Sequence, residues 1–151
     1  MEMIYLEHKE NEIIYYALDD TDYSNMEIDC NCGCQSPITY NPEPLSGDVV
    51  EVSEISGKYR KCITKYSNKV IGVCCGEILV SDNKYIPIAV YGRVRVNTVG
   101  LIRIGDLLTS SYIPGKAMSV EYDRAHKGTI IGKCIEMTDK ENEVIMQIFL
   151  N

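Results

Sequence analysis

The sequence has no tryptophan, a single phenylalanine and only two histidines among its 151 residues. It has no apolar run long enough to cross a bilayer as a helix. Its acidic opening, "MEMIYLEHKENE", is not typical of an export signal or a transit peptide. Lys and Arg number 15 against 22 Asp and Glu, a net charge of −7. Because nucleic acids are bound through concentrated positive charge, we do not expect a nucleic acid as partner. Because there is no membrane-spanning apolar run, we do not expect a membrane as partner either.

Signatures of cofactor binding are also missing. The stretch "YGRVRVNTVG", residues 91–100, has neither the spacing of a phosphate-binding loop nor a following helix pattern. Arg93 and Arg95 alternate with valines and so share one strand face, which in an acidic protein is typical of a solvated face or a row of ion pairs. His8 and His126 are isolated in the sequence. We therefore expect no cofactor.

What the sequence does contain is an internal repeat. Four landmarks recur in the same order, 58 to 60 positions apart. They are the Gly-Asp pairs at Gly47 and Gly105, the Gly-Lys pairs at Gly57 and Gly115, the apolar stretches 70–74 and 130–134, and the alternating stretches 85–96 and 143–151. Gly-Asp and Gly-Lys pairs are typical of turns, and the apolar or alternating stretches between them are typical of short strands.

This repeat predicts the fold class. Strand and turn signals follow one another closely, and no apolar stripe with a 3.6-residue period appears after Leu45. We predict an all-β fold, a compact barrel or sandwich built from two related strand-turn units within a duplicated β domain at residues 46–151. Each unit is too small to bury a core alone, so the two are expected to pack against each other.

Residues 1–45 show none of the repeated landmarks. They are rich in tyrosine, carry the proline-containing stretch "PITYNPEPL", and are predicted to form an extended N-terminal arm for assembly. Such an arm has two possible places. It covers a neighbouring subunit, or it folds back as a hairpin on its own barrel.

Three of the seven cysteines lie close together in this arm, as Cys30, Cys32 and Cys34. In an extended strand, this alternation places all three thiols on one face. The spacing does not fit the C-x₂₋₄-C knuckle of a zinc site, so a metal would need thiols from several chains. The cysteines are therefore interpreted as thiols of a buried strand, as disulfide partners or, less simply, as metal ligands. The neighbours Cys74 and Cys75 point to opposite faces of a strand.

Carboxylates cluster just before these cysteines, in "DDTDYSNME" at residues 19–27. Two carboxyl groups held close together can separate their pKa values and perform acid–base chemistry. Asp22 and Glu27 are the candidates for such a role. The alternative interpretation is a solvated acidic turn.

From Gly47 onward the sequence resembles the β domain at the C-termini of bacteriophage tail-fibre and neck-appendage proteins. The resemblance covers about two thirds of the chain, and its "GDLLTSS…PGKAM" part is the most specific. The matching segments are Gly47–Val50, Ile88–Val90, Gly92–Val94, Gly105–Ser111, Pro114–Gly115, Ala117–Met118 and Gly128–Cys134. The resemblance implies a domain that forms trimers and assembles with other virion proteins.

Some members of that family are intramolecular chaperones that cleave themselves off, with carboxylates near an Asp-Tyr stretch. Asp22 and Tyr23 match this stretch, and Glu27 stands for a later acidic residue. Asn25 occupies a position where the family has Glu, which departs from the pattern. A second resemblance, to small capsid decoration proteins with a similar doubled pattern, implies a place on the phage head instead of the tail.

The sequence therefore predicts a non-enzymatic structural protein of a bacteriophage or prophage-derived virion. It would be a homotrimer in the tail appendage, fibre or capsid surface, made in the bacterial cytoplasm and bound to other virion proteins. One alternative is a self-cleaving assembly chaperone that uses Asp22 and Glu27. The second is a thiol- or metal-binding module at Cys30, Cys32 and Cys34.

Overall fold

The computed structural model describes residues 5–7, 11–21, 27–28, 38–39, 43–77, 84–121 and 127–150. These residues form twelve strands and no helix, which confirms the all-β prediction. The strands are β1 (Tyr5–Glu7), β2 (Asn11–Ala17), β3 (Glu27–Ile28), β4 (Ile38–Thr39), β5 (Val49–Val52), β6 (Tyr59–Lys61), β7 (Val70–Cys74), β8 (Tyr85–Asn97), β9 (Leu107–Ser110), β10 (Ala117–Ser119), β11 (Ile130–Met137) and β12 (Glu143–Ile148). No helix long and apolar enough to span a bilayer occurs in the described ranges.

Ten of these strands form one antiparallel sheet, and β3 pairs with β4 separately. The main path of the sheet runs β10-β9-β11-β12-β8-β7-β5-β6, and β2 joins it by pairing with β8. The sheet is strongly curled and forms a half-barrel. The longest strand, β8, has 13 residues and contacts β2, β7 and β12.

The sheet consists of two units that share β8. The first unit comprises β2, β5, β6, β7 and residues 85–90 of β8, and the second comprises residues 91–97 of β8 with β9, β10, β11 and β12. Equivalent hydrogen bonds have nearly equal lengths in the two. The Gly47 N–H donates to the Cys74 carbonyl at 2.7 Å, and the Gly105 N–H donates to the Cys134 carbonyl at 2.7 Å. The repeated landmarks therefore correspond to a repeated backbone.

Both units contain the same irregularity in strand pairing. In the first unit the register shifts between Val50 and Glu51, opposite β7, and in the second it shifts between Ile130 and Gly132, opposite β9. Each shift is a β-bulge, which increases the local bend of a strand. The bulges therefore contribute to the curl of the sheet in both units.

Strand β2 also belongs to the repeat. Leu18 forms a parallel bridge to Tyr59, the first residue of β6, and Thr98 forms the same bridge to Ala117, the first residue of β10. Residues 11–18 therefore occupy the place in the first unit that residues 91–98 occupy in the second. The structure therefore extends the repeat beyond its sequence landmarks. Residues 11–18 have the same backbone pairing as residues 91–98, although the two stretches have almost no residue types in common.

These pairings also show where part of the predicted arm lies. Strands β1 and β2 form a hairpin, and β2 pairs with β8 of its own chain. For these residues the structure supports the interpretation as a hairpin folded back on the barrel. Most of the rest of residues 1–45 lies outside the described ranges.

The core follows the same division. The first unit's cluster consists of Leu18, Val50, Cys74, Ile86 and Ile88, flanked by Tyr16, Tyr59, Ile71 and Val90. The equivalent positions of the second unit are Thr98, Leu108, Cys134, Val144 and Met146, flanked by Val96, Ala117, Ile131 and Ile148. All of these except Thr98 belong to one cluster, which also takes in Val49, Cys62, Val73 and Ala89 of the first unit. The units therefore pack against each other through one face of the first.

Candidate functional site

The residues singled out for chemistry from the sequence lie mostly outside the described ranges. Asp22, Cys30, Cys32 and Cys34 are not among the described residues, and Glu27 is described only as the first residue of β3, paired with Thr39. The self-cleavage and metal hypotheses therefore stay predictions. Within the described ranges, no group of three or more His, Cys, Asp or Glu side chains could hold a metal ion.

The most developed polar structure is the junction between the two units. At its centre, a turn of the second unit at residues 113–116, the docked turn, inserts against the first unit. The Gly115 N–H donates to the Cys62 carbonyl at 2.7 Å, and the Val49 N–H donates to the Gly115 carbonyl at 2.7 Å. Gly115 is buried there, with φ +77°. The first unit thus receives the docked turn as an additional backbone partner.

Asp48 links this turn to other parts of both units. Its carboxylate lies 3.3 Å from the Lys61 Nζ and accepts a hydrogen bond from the Asn97 Nδ2 at 3.1 Å. It also accepts the Leu45 N–H at 2.8 Å, which fixes the Gly-Asp turn. The backbone of Gly115 lies directly against this carboxylate, and a Cβ at Gly115 would be 2.8 Å from the Asp48 Cγ. Asp48 therefore joins strand β6, strand β8 and the docked turn.

A second buried cluster surrounds Glu51, whose exposed fraction is 1%. Its carboxylate accepts the Arg60 Nε–H at 3.0 Å and the Ser67 hydroxyl at 3.1 Å, and the Cys62 thiol lies at 3.4 Å. Burial, together with the Glu51 charge, raises the pKa of Cys62 to about 12. Because a nucleophilic cysteine needs a lowered pKa, Cys62 is a structural thiol.

The segment after this cluster completes the junction. Ser110 of β9 is buried, donates its hydroxyl to the Thr64 carbonyl at 2.7 Å and accepts the Ser67 N–H at 2.9 Å. The Tyr66 N–H donates to the Ser110 carbonyl at 3.2 Å. Lys65 and Glu121 add an exposed ion pair at 3.2 Å. Ser110 and Gly115 of the second unit are therefore both bonded to the first unit, at the two ends of the segment 110–115.

Of the other described cysteines, Cys74 and Cys134 are buried and Cys75 is partly buried. The Cys74 and Cys134 thiols occupy equivalent positions, and each points to the carbonyl two residues further on, that of Gly76 or Glu136. Burial raises the pKa of both thiols, and it raises the pKa of Cys75 to about 11. Cys74 is fully buried and Cys75 only partly, as expected for neighbours on opposite faces of a strand.

The described surface also has a polar strand face and an apolar end. Arg93 and Arg95 are exposed on one face of β8 and pair with Glu136 at 3.2 Å and Glu143 at 3.0 Å, as the ion-pair interpretation expects. At the far end of the second unit, Leu101 is 74% exposed between two open hollows of about 280 and 270 Å³.

Comparison with known protein families, with curated proteins and with solved structures finds no match to this chain.

Sequence reasoning found the turns of this junction but not their contact. The repeat pairs Gly115 with Gly57 and Asp48 with Asp106. Nothing in the sequence indicated that Gly115 lies against Asp48. One signal in the sequence bears on the polar clusters of the junction. The short strand β6 carries Arg60 and Lys61, and the preceding Gly-Asp turn and strand β5 carry the acidic residues Asp48 and Glu51.

Proposed function

We propose that this chain is a structural protein of a bacteriophage or prophage-derived virion. Its duplicated β domain forms homotrimers in the tail appendage, fibre or capsid surface and binds other virion proteins. The proposal takes its virion context from the resemblance of residues 47–134 to phage tail-fibre and decoration proteins. Its role as an assembly subunit rests on the surface of the described residues.

The observation that carries this role is the set of exposed large apolar side chains on the two-unit sheet. Leu45, Leu101 and Ile104 are each between 65% and 74% exposed. Single exposed apolar residues are common, but several of them on the ends of short turns favour protein contacts. A subunit that is held by neighbours in a particle presents surfaces of this kind.

The test begins with the particle itself. Virions purified from the producing host are analysed by mass spectrometry for peptides of this chain, and labelled antibody then locates it on the head or the tail. The proposal expects the chain in stoichiometric amounts at one location. Its absence from purified virions would overturn the proposal.

Light scattering and intact-mass spectrometry of the purified protein test the assembly state. We expect three uncut chains per particle. A subunit shortened near Asp22 would instead support the self-cleaving chaperone, and Asp22→Asn with Glu27→Gln would then be the variants to compare. Stoichiometric metal that is lost on changing Cys30, Cys32 and Cys34 to serine would support the metal-binding module.

A further inference from the structure

The internal junction joins the two units head to tail. The second unit supplies its docked turn, residues 113–116, and the first unit supplies the surface formed by Asp48, Val49 and Cys62. The reverse contact is not made. The first unit's own copy of the turn, residues 55–58, does not touch the second unit's copy of the surface at Asp106, Leu107 and Val120. Within the part of the chain that the structure describes, one turn and one surface thus remain unused: residues 55–58 are the unused turn, and Asp106, Leu107 and Val120 form the unused surface.

The unused turn has the conformation of the docked one. Gly57 has φ +76° and Gly115 has φ +77°, and each turn is closed by the equivalent N–H, from Lys58 to Ile55 at 3.0 Å and from Lys116 to Ile113 at 3.1 Å. Gly115 is buried, whereas Gly57 is exposed and a Cβ there would meet no atom within 4 Å. The turn is therefore preformed for the same contact.

The unused surface offers the same backbone groups. In the first unit, the Val49 N–H and the Cys62 carbonyl bind the docked turn, and the Cys62 N–H donates to the Val49 carbonyl at 2.8 Å. In the second unit, the Val120 N–H donates to the Leu107 carbonyl at 2.8 Å. The Leu107 N–H points to the same edge as its carbonyl. Like the Val120 carbonyl, it has no hydrogen-bond partner among the described residues.

Apolar side chains are exposed at both places. Beside the unused turn, Ile55 is 42% exposed, whereas its equivalent Ile113 is partly covered in the junction. Beside the unused surface, Ile104 is 66% exposed. Its equivalent is Ser46, whose carbonyl accepts a hydrogen bond from Asn97 across the junction. Ile104 therefore lies where an incoming unit would touch the second unit.

We propose that copies of this chain associate head to tail, with the unused turn of one copy, residues 55–58, bound to the unused surface of the next, formed by Asp106, Leu107 and Val120. The occupant of each surface is thus a second copy of this chain. A contact between two different surfaces repeats from copy to copy and gives a ring when the rotation closes. The proposal rests on the assembly role proposed above and names the contact. With three copies, six units would follow one another around the ring.

The two contacts differ in polarity. In the first unit, Val73 and Ala89 belong to the same core cluster as Val49 and Cys62 of the surface. The equivalent positions of the second unit are the polar residues Lys133 and Gln147. Because less apolar area is buried, the contact between copies is expected to be weaker than the junction within the chain. Copies should therefore separate under conditions in which each chain stays folded.

The test uses two variants at exposed positions, Ile55→Asp in the turn and Ile104→Asp beside the surface. Each is analysed by light scattering and analytical ultracentrifugation at 100 μM, and circular dichroism verifies folding. We expect a ring for the unchanged chain and monomers for each variant alone. An equimolar mixture of the two variants retains one intact contact, between the turn of Ile104→Asp and the surface of Ile55→Asp. It should form dimers and nothing larger.

Tyr91→Asp is the matched control, since Tyr91 is 64% exposed on β8, away from both surfaces. It should assemble like the unchanged chain. A monomeric unchanged chain at 100 μM would overturn the head-to-tail contact, and so would a mixture of variants that stays monomeric. A trimer that survives both single variants would also overturn it, but would leave the proposed virion role intact. Absence from virions would overturn that role and leave the contact standing.

Discussion

The two units have the same backbone and bury different side chains. In the first, charged side chains are buried between β5 and β6; in the second, the same places hold neutral ones. The equivalent pairs are Glu51 and Thr109, Arg60 and Met118, and Lys61 and Ser119. The hydrogen bonds that define turns, bulges and bridges are nonetheless conserved between units. The fold of a unit therefore depends on its turns and apolar core, and not on these polar clusters.

The difference coincides with the junction. The first unit's charges lie beside the docked turn, where two polypeptide segments meet and backbone groups are removed from water. Asp48 illustrates this, because it is buried and bound by Lys61 and Asn97. Among the described residues, the Asp106 carboxylate accepts hydrogen bonds only from the Arg103 N–H of its own turn and from Ser119. The polar clusters thus mark where one unit binds another. Buried ion pairs are weak sources of stability but can favour one arrangement over others.

The largest effect is expected when one member of the buried Glu51–Arg60 ion pair of the first unit is removed. Arg60→Met places the second unit's residue in the first and leaves the Glu51 carboxylate buried without its cation. We expect a loss of about 3 to 5 kcal/mol in the free energy of unfolding, measured by urea denaturation.

The double variant Glu51→Thr with Arg60→Met is the control, because it reproduces the neutral pair of the second unit. It should be more stable than Arg60→Met alone. If the single variant were the more stable of the two, the buried carboxylate would not be the source of the loss.

Changes at Gly72 and Gly132 test the equality of the two backbones. A side chain at Gly72 would overlap the carbonyl oxygen of Ala89, and one at Gly132 would overlap that of Gln147. Each substitution by alanine should cost at least about 3 kcal/mol, since both obstacles are backbone atoms in a paired strand. Urea midpoints measure both losses. A loss in one unit that is much smaller than in the other would show that the bulges are not equivalent.

Gly57 and Gly115 form a pair with equal backbone and unequal surroundings. Alanine at either position pays about 1 kcal/mol for a left-handed conformation. At Gly115 it also collides with the Asp48 carboxylate, so Gly115→Ala should cost about 2 kcal/mol more than Gly57→Ala. Thermal unfolding of monomeric protein measures the difference. Equal costs would contradict the buried position of the docked turn.

The smallest effect concerns the Gly-Asp turn of the second unit, residues 103–106. Hydrogen bonds from Ser119 and from the Arg103 N–H lower the pKa of Asp106 below its ordinary value of 3.8. A lowered carboxyl pKa contributes stability that is present above the unfolded value and is lost as the pH falls through the folded value. Solvent screening limits this contribution to at most about 0.5 kcal/mol.

Urea midpoints at pH 7 and pH 3 measure this effect. Ser119→Ala should be less stable than the unchanged chain at pH 7, and the difference should shrink at pH 3. A difference that does not change with pH would assign the effect of Ser119 to packing and not to the Asp106 charge.

The repeat was predictable because it rests on residues with few substitutes. Gly47 and Gly105 open the same turn, and Gly72 and Gly132 allow the same close approach of strands, so these letters recur. The equivalence of β2 with the second half of β8 was not predictable. Alternating strands accept many residues, and the connections after Leu18 and Thr98 differ greatly in length, which removes the constant spacing. The junction could not be predicted either, since it depends on how the curled sheet brings distant turns together.

Strand β8 belongs to both units without interruption, and this has a consequence for how the chain unfolds and how it arose. There is no linker at which the units could separate, because the first unit ends at residue 90 and the second begins at residue 91 of the same strand. If either unit unfolds, the other loses a strand with which it is paired. We therefore expect the two units to unfold in a single cooperative transition. A duplication that joined the last strand of one copy directly to the first strand of the next would produce this arrangement in one step. From then on, neither copy could be lost alone.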